Sequence, residues 1–130
     1  MGLDNGLQIK RNGKATNAYN LIARFESNWD KERRLDFEVM YFRKCWNVRS
    51  AIAQSIGGIV DNGYTDLTRD DIPKIIDALK SFNSENWYDD HSIWDWEDQE
   101  EPIKMYIENL EYLYELMDNY DLDIYFYDSY

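Results

Sequence analysis

The hydrophobic period of this chain changes near its end, and that change limits the folds open to it. Ile103, Ile107, Leu110, Leu113 and Met117 recur every three or four residues, as along one side of a helix. Just beyond them Leu122, Ile124 and Phe126 alternate with Asp123, Tyr125 and Tyr127, the period of a strand with one buried face. A helix stripe and a strand face each need another layer to cover them, so helix and sheet must pack together. Pro102 suits the start of that helix, and the carboxylates before it complement the positive end of the helix dipole.

Earlier segments repeat the theme. Leu7-Gln8-Ile9-Lys10-Arg11 alternates weakly and runs into Asn12-Gly13, a dipeptide that suits a tight hairpin turn. Residues 14–35 space Leu21, Ile22, Phe25 and Trp29 in a helical manner but offer no convincing cap. Residues 36–42 read as a strand with Phe37, Val39 and Tyr41 on one face. Helical spacing follows at Cys45, Val48, Ile52, Ile56 and Ile59, weakened by Gly57-Gly58, and Asn62-Gly63 marks a turn. Thr68 and Asp71 resemble a capping pair for a helix through about Leu79, with Ile72, Ile75 and Ile76 inward. Residues 81–101 suit an ordered loop held by Trp side chains. The expectation is an α+β fold, a small antiparallel or mixed sheet covered by two or three amphipathic helices, with residues 1–130 forming a single domain.

Charge is divided along the chain. Residues 1–50 carry ten Lys/Arg and six Asp/Glu, whereas residues 51–130 carry four and twenty. In the last 46 residues Lys104 is the only Lys or Arg among fifteen carboxylates, with eleven aromatic side chains between them. A net charge of −12 opposes free nucleic acid and anionic membrane, because phosphate binding depends on Lys and Arg releasing counterions. The single cysteine, Cys45, forms no internal disulfide, no secretory leader opens the chain, and no apolar run reaches membrane-spanning length. These features read as a soluble cytosolic protein without a membrane partner.

Catalytic and metal-binding patterns are weak. His91 is the only histidine and lies beside Asp89, Asp90 and Asp95, too few soft ligands for structural zinc. The acidic loop could supply oxygen ligands to a hard cation, yet no calcium-loop spacing occurs. Cys45 has Arg43, Lys44 and Arg49 nearby but shares an apolar helical face with Val48 and Ile52, the position of a core thiol. No nucleophile elbow, phosphate loop or dinucleotide fingerprint is present. No catalytic residue, metal or cofactor is therefore assigned, and a binding protein is expected rather than an enzyme. A metal-assisted hydrolase would have carboxylates in number but no recognisable spacing.

Two groups could bind something. Arg43, Lys44, Trp46, Asn47 and Arg49 cluster where a strand enters a helix, a place where an anion could be held, with Tyr41 or Trp46 stacking on a base. The competing reading pairs these cations with carboxylates of the C-terminal half. The second group is the acidic, aromatic stretch around Trp94-Asp95-Trp96-Glu97, suited to a protein contact or to imitation of duplex phosphates.

The opening Met1-Gly2-Leu3-Asp4-Asn5-Gly6, the block Tyr41-Phe42-Arg43-Lys44-Cys45-Trp46-Asn47-Val48-Arg49 and the closing Tyr125-Phe126-Tyr127-Asp128-Ser129-Tyr130 together resemble a family of small uncharacterised phage and prophage proteins. In that family Phe42 is usually tryptophan, and many members have histidine at the position of Arg49. The resemblance implies a phage setting, and with it inhibition of a host nucleic-acid-targeting effector such as a CRISPR nuclease. The expected partner is a host protein with a basic nucleic-acid-binding surface, and self-association stays open. Its expected contacts are the carboxylates of Asp89, Asp90, Asp95, Glu97 and Asp98. Glu100 and Glu101 extend that surface, with Trp94 and Trp96 as aromatic anchors. The alternative is sequestration of an anionic signalling nucleotide by Tyr41, Arg43, Lys44, Trp46, Asn47 and Arg49.

Overall fold

A computed structural model describes residues 3–87 and 95–130. The first strand, β1 (Asp4–Ile9), is followed by three short helices, α1 (Gly13–Asn17), α2 (Tyr19–Ile22) and α3 (Asn28–Arg33), with a 3-10 turn at Ala23–Phe25. Then come β2 (Phe37–Arg43), α4 (Trp46–Ser55), β3 (Tyr64–Leu67), α5 (Asp71–Lys80), α6 (Trp96–Leu116) and β4 (Ile124–Ser129). The four strands form one sheet in the order β2-β1-β4-β3, every neighbouring pair antiparallel. The expected α+β class is what the chain adopts, with the sheet antiparallel.

Asn12-Gly13 makes no hairpin. The Asn12 side chain caps α1 by accepting from the N–H groups of Lys14 and Ala15 at 3.0 and 3.2 Å, so the dipeptide opens a helix. The capping signal missing from the sequence reading of residues 14–35 lies here and at Ser27. There Ser27 Oγ accepts from the Asp30 N–H at 3.1 Å, and the Asp30 carboxylate accepts from the Ser27 N–H at 3.4 Å.

A bulge sets the faces of β2. Leu7 pairs with Met40 and Gln8 pairs with Glu38, so Val39 is an extra residue in the ladder. Phe37, Met40 and Phe42 consequently point into the core, while Tyr41 emerges on the opposite face beside Glu38. Tyr41 therefore does not share a face with Phe37, contrary to the simple alternation. The Val39 carbonyl accepts from Asn109 Nδ2 at 3.1 Å, which ties the bulge to α6.

The core lies between one face of the sheet and the helices. Leu7, Ile9, Met40, Ile124 and Phe126 meet Val48 and Ile52 of α4, Ile72, Ile75 and Leu79 of α5, and Ile103, Leu110 and Leu113 of α6 in one contiguous cluster. Each such side chain contributes roughly 1.5–3 kcal/mol by leaving water. α4 ends as Gly57 and Gly58 take φ of 83° and 121°, which side chains rarely tolerate. β3, which shows no strand pattern of its own, follows the turn at Asn62-Gly63. α6 begins at Trp96, ahead of Pro102, which sits inside the helix.

Candidate functional site

The sequence-predicted acidic site falls largely on the start of α6. Asp89, Asp90 and Trp94, together with His91, lie outside the described residues. Asp95 is exposed and immediately precedes α6, and Glu97 and Asp98 stand exposed in its first turn, where carboxylates complement the helix dipole. Trp96 is half-buried, its ring 5.6 Å from that of Trp87, which is itself buried and packs on Phe82 at 5.4 Å. Part of the Trp96 ring thus belongs to the hydrophobic interior. Glu100 and Glu101 both approach Lys104, at 3.4 and 3.7 Å.

A longer feature continues from this point. Glu97, Glu101, Glu108, Glu111 and Glu115 are all exposed, and their spacing of three, four or seven residues puts them on one face of α6, with Lys104 in the same row. At 1.5 Å per residue the row runs about 27 Å. The sequence carried its signal as carboxylates that kept helical spacing opposite the apolar stripe.

The basic cluster is divided by the fold. Arg49 meets Asp128 of β4 through two bonds, Nε to Oδ1 at 2.8 Å and Nη2 to Oδ2 at 2.9 Å, and reaches Asp61 Oδ1 at 2.7 Å. Asp128 also accepts from Asn5 Nδ2 at 2.7 Å and from the Asn62 N–H at 2.9 Å. Burial pushes the Asp128 carboxyl up, but the Arg49 guanidinium and these N–H donors outweigh it and hold it below the usual aspartate value. Tyr130 closes the group by donating to Asp61 at 2.5 Å and placing its ring 5.7 Å from that of Trp46. Asn47 is buried and donates to the Trp87 carbonyl at 3.0 Å, and Cys45 is buried as a core thiol. Lys44 turns the chain into α4 with φ of 55°. Tyr41 is on the other face of the sheet. The N-terminal cations and C-terminal carboxylates are thus joined at Arg49, and the six residues do not converge on one pocket.

A third group was not singled out by the sequence. The sheet face away from the core bears Asp4, Gln8, Glu38, Tyr41, Tyr64 and Tyr127, with Tyr125 beneath Tyr64 at 5.5 Å, edge to face. Tyr41 donates to Asp4 Oδ1 at 2.5 Å and Tyr127 to Glu38 Oε1 at 2.9 Å, while Tyr125 shares its one hydroxyl proton between Asp36 Oδ2, at 2.7 Å, and Gln8 Oε1. Gln8 Nε2 completes the network on Glu38 at 2.5 Å. Gly6 makes room for it, since a Cβ there would fall 2.6 Å from the Tyr127 ring and 2.7 Å from the Met40 carbonyl oxygen. Burial, helped by the Asp4 carboxylate, pushes the Tyr41 hydroxyl up to about 12, and burial with the carboxylates they bond raises Tyr125 and Tyr127 as well. These hydroxyls stay protonated near neutral pH and act as donors, which suits binding and not proton abstraction. Burial also raises the Glu38 carboxyl, and the hydrogen bonds from Gln8 and Tyr127 offset only part of the rise. The residues were legible only as alternation, because four strands from distant parts of the chain bring them together.

Among the described residues no group of three or more His, Cys, Asp and Glu side chains is placed to hold a metal ion, and no helix is long and apolar enough to cross a membrane. The chain matches no protein-family model, no curated protein and no solved structure.

Proposed function

We propose that this protein is a phage-derived counter-defence factor that acts in the host cytosol, occupying the basic nucleic-acid channel of a host effector such as a CRISPR nuclease. The row of carboxylates on α6 is the observation that carries this reading. A rigid helix offers negative charges at regular steps over about 27 Å, roughly four-fifths of the ~34 Å turn of a duplex, to a surface built to bind phosphates. The cation most able to cancel charge in the folded core, Arg49, is engaged with Asp128 and Asp61. The same engagement, with Asn47 buried, gives less support to the nucleotide-sequestering alternative. The reading needs no cofactor and no turnover by this chain.

The test is a cleavage assay with a guide-loaded CRISPR nuclease and its target duplex, titrated with this protein at low and high salt. Inhibition should compete with DNA, weaken at least about tenfold as salt screens the contact, and fall by a similar factor when Glu101, Glu108, Glu111 and Glu115 are all changed to Gln. Inhibition that survives this fourfold change intact, or does not compete with DNA, would rule out phosphate imitation by α6.

A further inference from the structure

The two outer edges of the sheet are β2 and β3, and they are finished differently. Side chains of α6 close the edge of β2, where the Val39 carbonyl accepts from Asn109 Nδ2 at 3.1 Å and the Tyr41 N–H bonds the Tyr106 hydroxyl. On β3 the hydrogen-bond pattern shows which groups are left over. The Asp128 N–H donates to the Gly63 carbonyl at 2.8 Å, one step before the Tyr64–Tyr127 pair, so the positions of β3 that bond β4 are Thr65 and Leu67. The N–H and C=O of Tyr64 and of Asp66 therefore point away from β4. Among the described residues none of these four groups has a hydrogen-bond partner.

This edge is already fixed in shape. The Val60 N–H donates to Thr65 Oγ1 at 2.7 Å and the Asn62 N–H to Asp128 Oδ2 at 2.9 Å, which hold the turn that leads into β3. Side chains beside it stand out from the surface, with Tyr64 71% and Val60 54% exposed. An unpaired strand edge is a template for another strand, and an edge held in place loses little freedom when one is added.

The geometry points to β3 as a self-association edge, at which two copies of the chain join antiparallel about a two-fold axis and merge their sheets into one. The free groups select the register. With Tyr64 opposite the partner's Asp66, all four free groups of each strand are used, and Thr65 meets its counterpart at the axis. Setting Asp66 opposite the partner's Asp66 would place like charges face to face, and setting Tyr64 opposite the partner's Tyr64 would leave the Asp66 groups unpaired. In the selected register the exposed Tyr64 ring lies beside the partner's Asp66 carboxylate, a neighbour its hydroxyl can donate to. Lys10, 3.6 Å from Asp66, offsets the charge of each carboxylate at the join. A two-fold contact of this kind closes at two copies. It uses no residue of the α6 row and is independent of what that row binds.

Sedimentation equilibrium of the intact protein over about a hundredfold range of concentration tests the assignment. A reversible monomer–dimer equilibrium is expected, with nothing larger than a dimer. Each copy carries a net charge of −12, so the dimer should tighten as salt rises, the opposite of the salt effect expected for the α6 contact. Asp66→Pro removes an outward N–H at an edge position where proline is tolerated, and should raise the dissociation constant about tenfold or more with the circular dichroism of the fold retained. Disulfide trapping checks the register without relying on that variant. Oxidation by diamide, which takes up the two thiol hydrogens, should link Thr65→Cys into dimers, because facing positions of a non-bonded pair lie within disulfide reach. The same treatment should leave Tyr64→Cys largely unlinked, its two copies being roughly 8 Å apart across the axis although the position is the more exposed. Monomer at every concentration and either salt overturns the proposal, whether the edge then takes a strand of another protein or stays bare. A dimer untouched by Asp66→Pro, or linked through position 64 more readily than through position 65, overturns it by placing the contact elsewhere.

Discussion

Asp128 on β4 and Glu38 on β2 both flank β1, on opposite faces of the sheet. Asp128 faces the core, fully covered, and receives a guanidinium, a side-chain amide and a backbone N–H. Glu38 faces the open side, only partly covered, and receives one amide and one phenol. The more deeply buried carboxylate is the one whose acidity is strengthened, and the less buried one is weakened. Burial alone would rank them the other way. What separates them is a full positive charge within bonding distance, which repays desolvation where neutral donors repay only part of it.

This contrast can be broken in order of expected effect. Asp128→Asn should be the most damaging change, costing about 3 kcal/mol in urea unfolding because Arg49 is left in a largely covered position without its main counterion. A loss below about 1 kcal/mol would mean that Asp61 and water replace Asp128. Gly6→Ala should cost roughly 1–3 kcal/mol, since the new methyl must displace Tyr127 or the β2 backbone. Near-ultraviolet circular dichroism would report the tyrosine displacement directly. Glu38→Gln should have the opposite sign at pH 7, raising the unfolding free energy by under about 1 kcal/mol, because the amide can still bond Tyr127 without holding a charge there.

The pH dependence sharpens the same comparison. Asp128 has a lowered folded value, so its contribution is complete above the ordinary aspartate value of 3.8 and is lost as pH falls through the folded one. Glu38 has a raised folded value, so its penalty is complete above that value and is lifted as pH falls towards the ordinary glutamate value of 4.5. Unfolding curves at pH 7, 5 and 3 should show the Glu38→Gln benefit fading first and the Asp128→Asn deficit fading last. The smallest effect belongs to Lys104→Ala, whose exposed pairs with Glu100 and Glu101 should be worth less than about 0.5 kcal/mol in the same assay.

Elements with a strong local period were legible. The stripe from Ile103 to Met117 and the alternation at Ile124 and Phe126 describe α6 and β4, and the inward side chains of α5 are those its spacing indicates. Elements defined by remote partners were not. β3 places only Thr65 and Leu67 towards the core and is a strand because β4 pairs with it. Asn12-Gly13 has hairpin chemistry, but β1 takes its neighbours from residues 37–43 and 124–129, leaving Asn12 to cap a helix. The bulge at Val39 cannot be read from the composition of β2, and with it went the position of Tyr41. For the candidate sites, the pairing of Arg49 with C-terminal carboxylates was legible as charge, its partner Asp128 was not, and the tyrosine face required the register of all four strands.

The position of β4 between β1 and β3 has a consequence for the making of the protein. Asp4 is paired with Ser129, so the central strand couple joins opposite ends of the described chain. While the polypeptide is being synthesised, β1 and β2 can meet early, but β1 keeps a bare edge until β4 has left the ribosome. Pairing over such sequence distances slows folding, and the interval is one in which the nascent chain would profit from a chaperone.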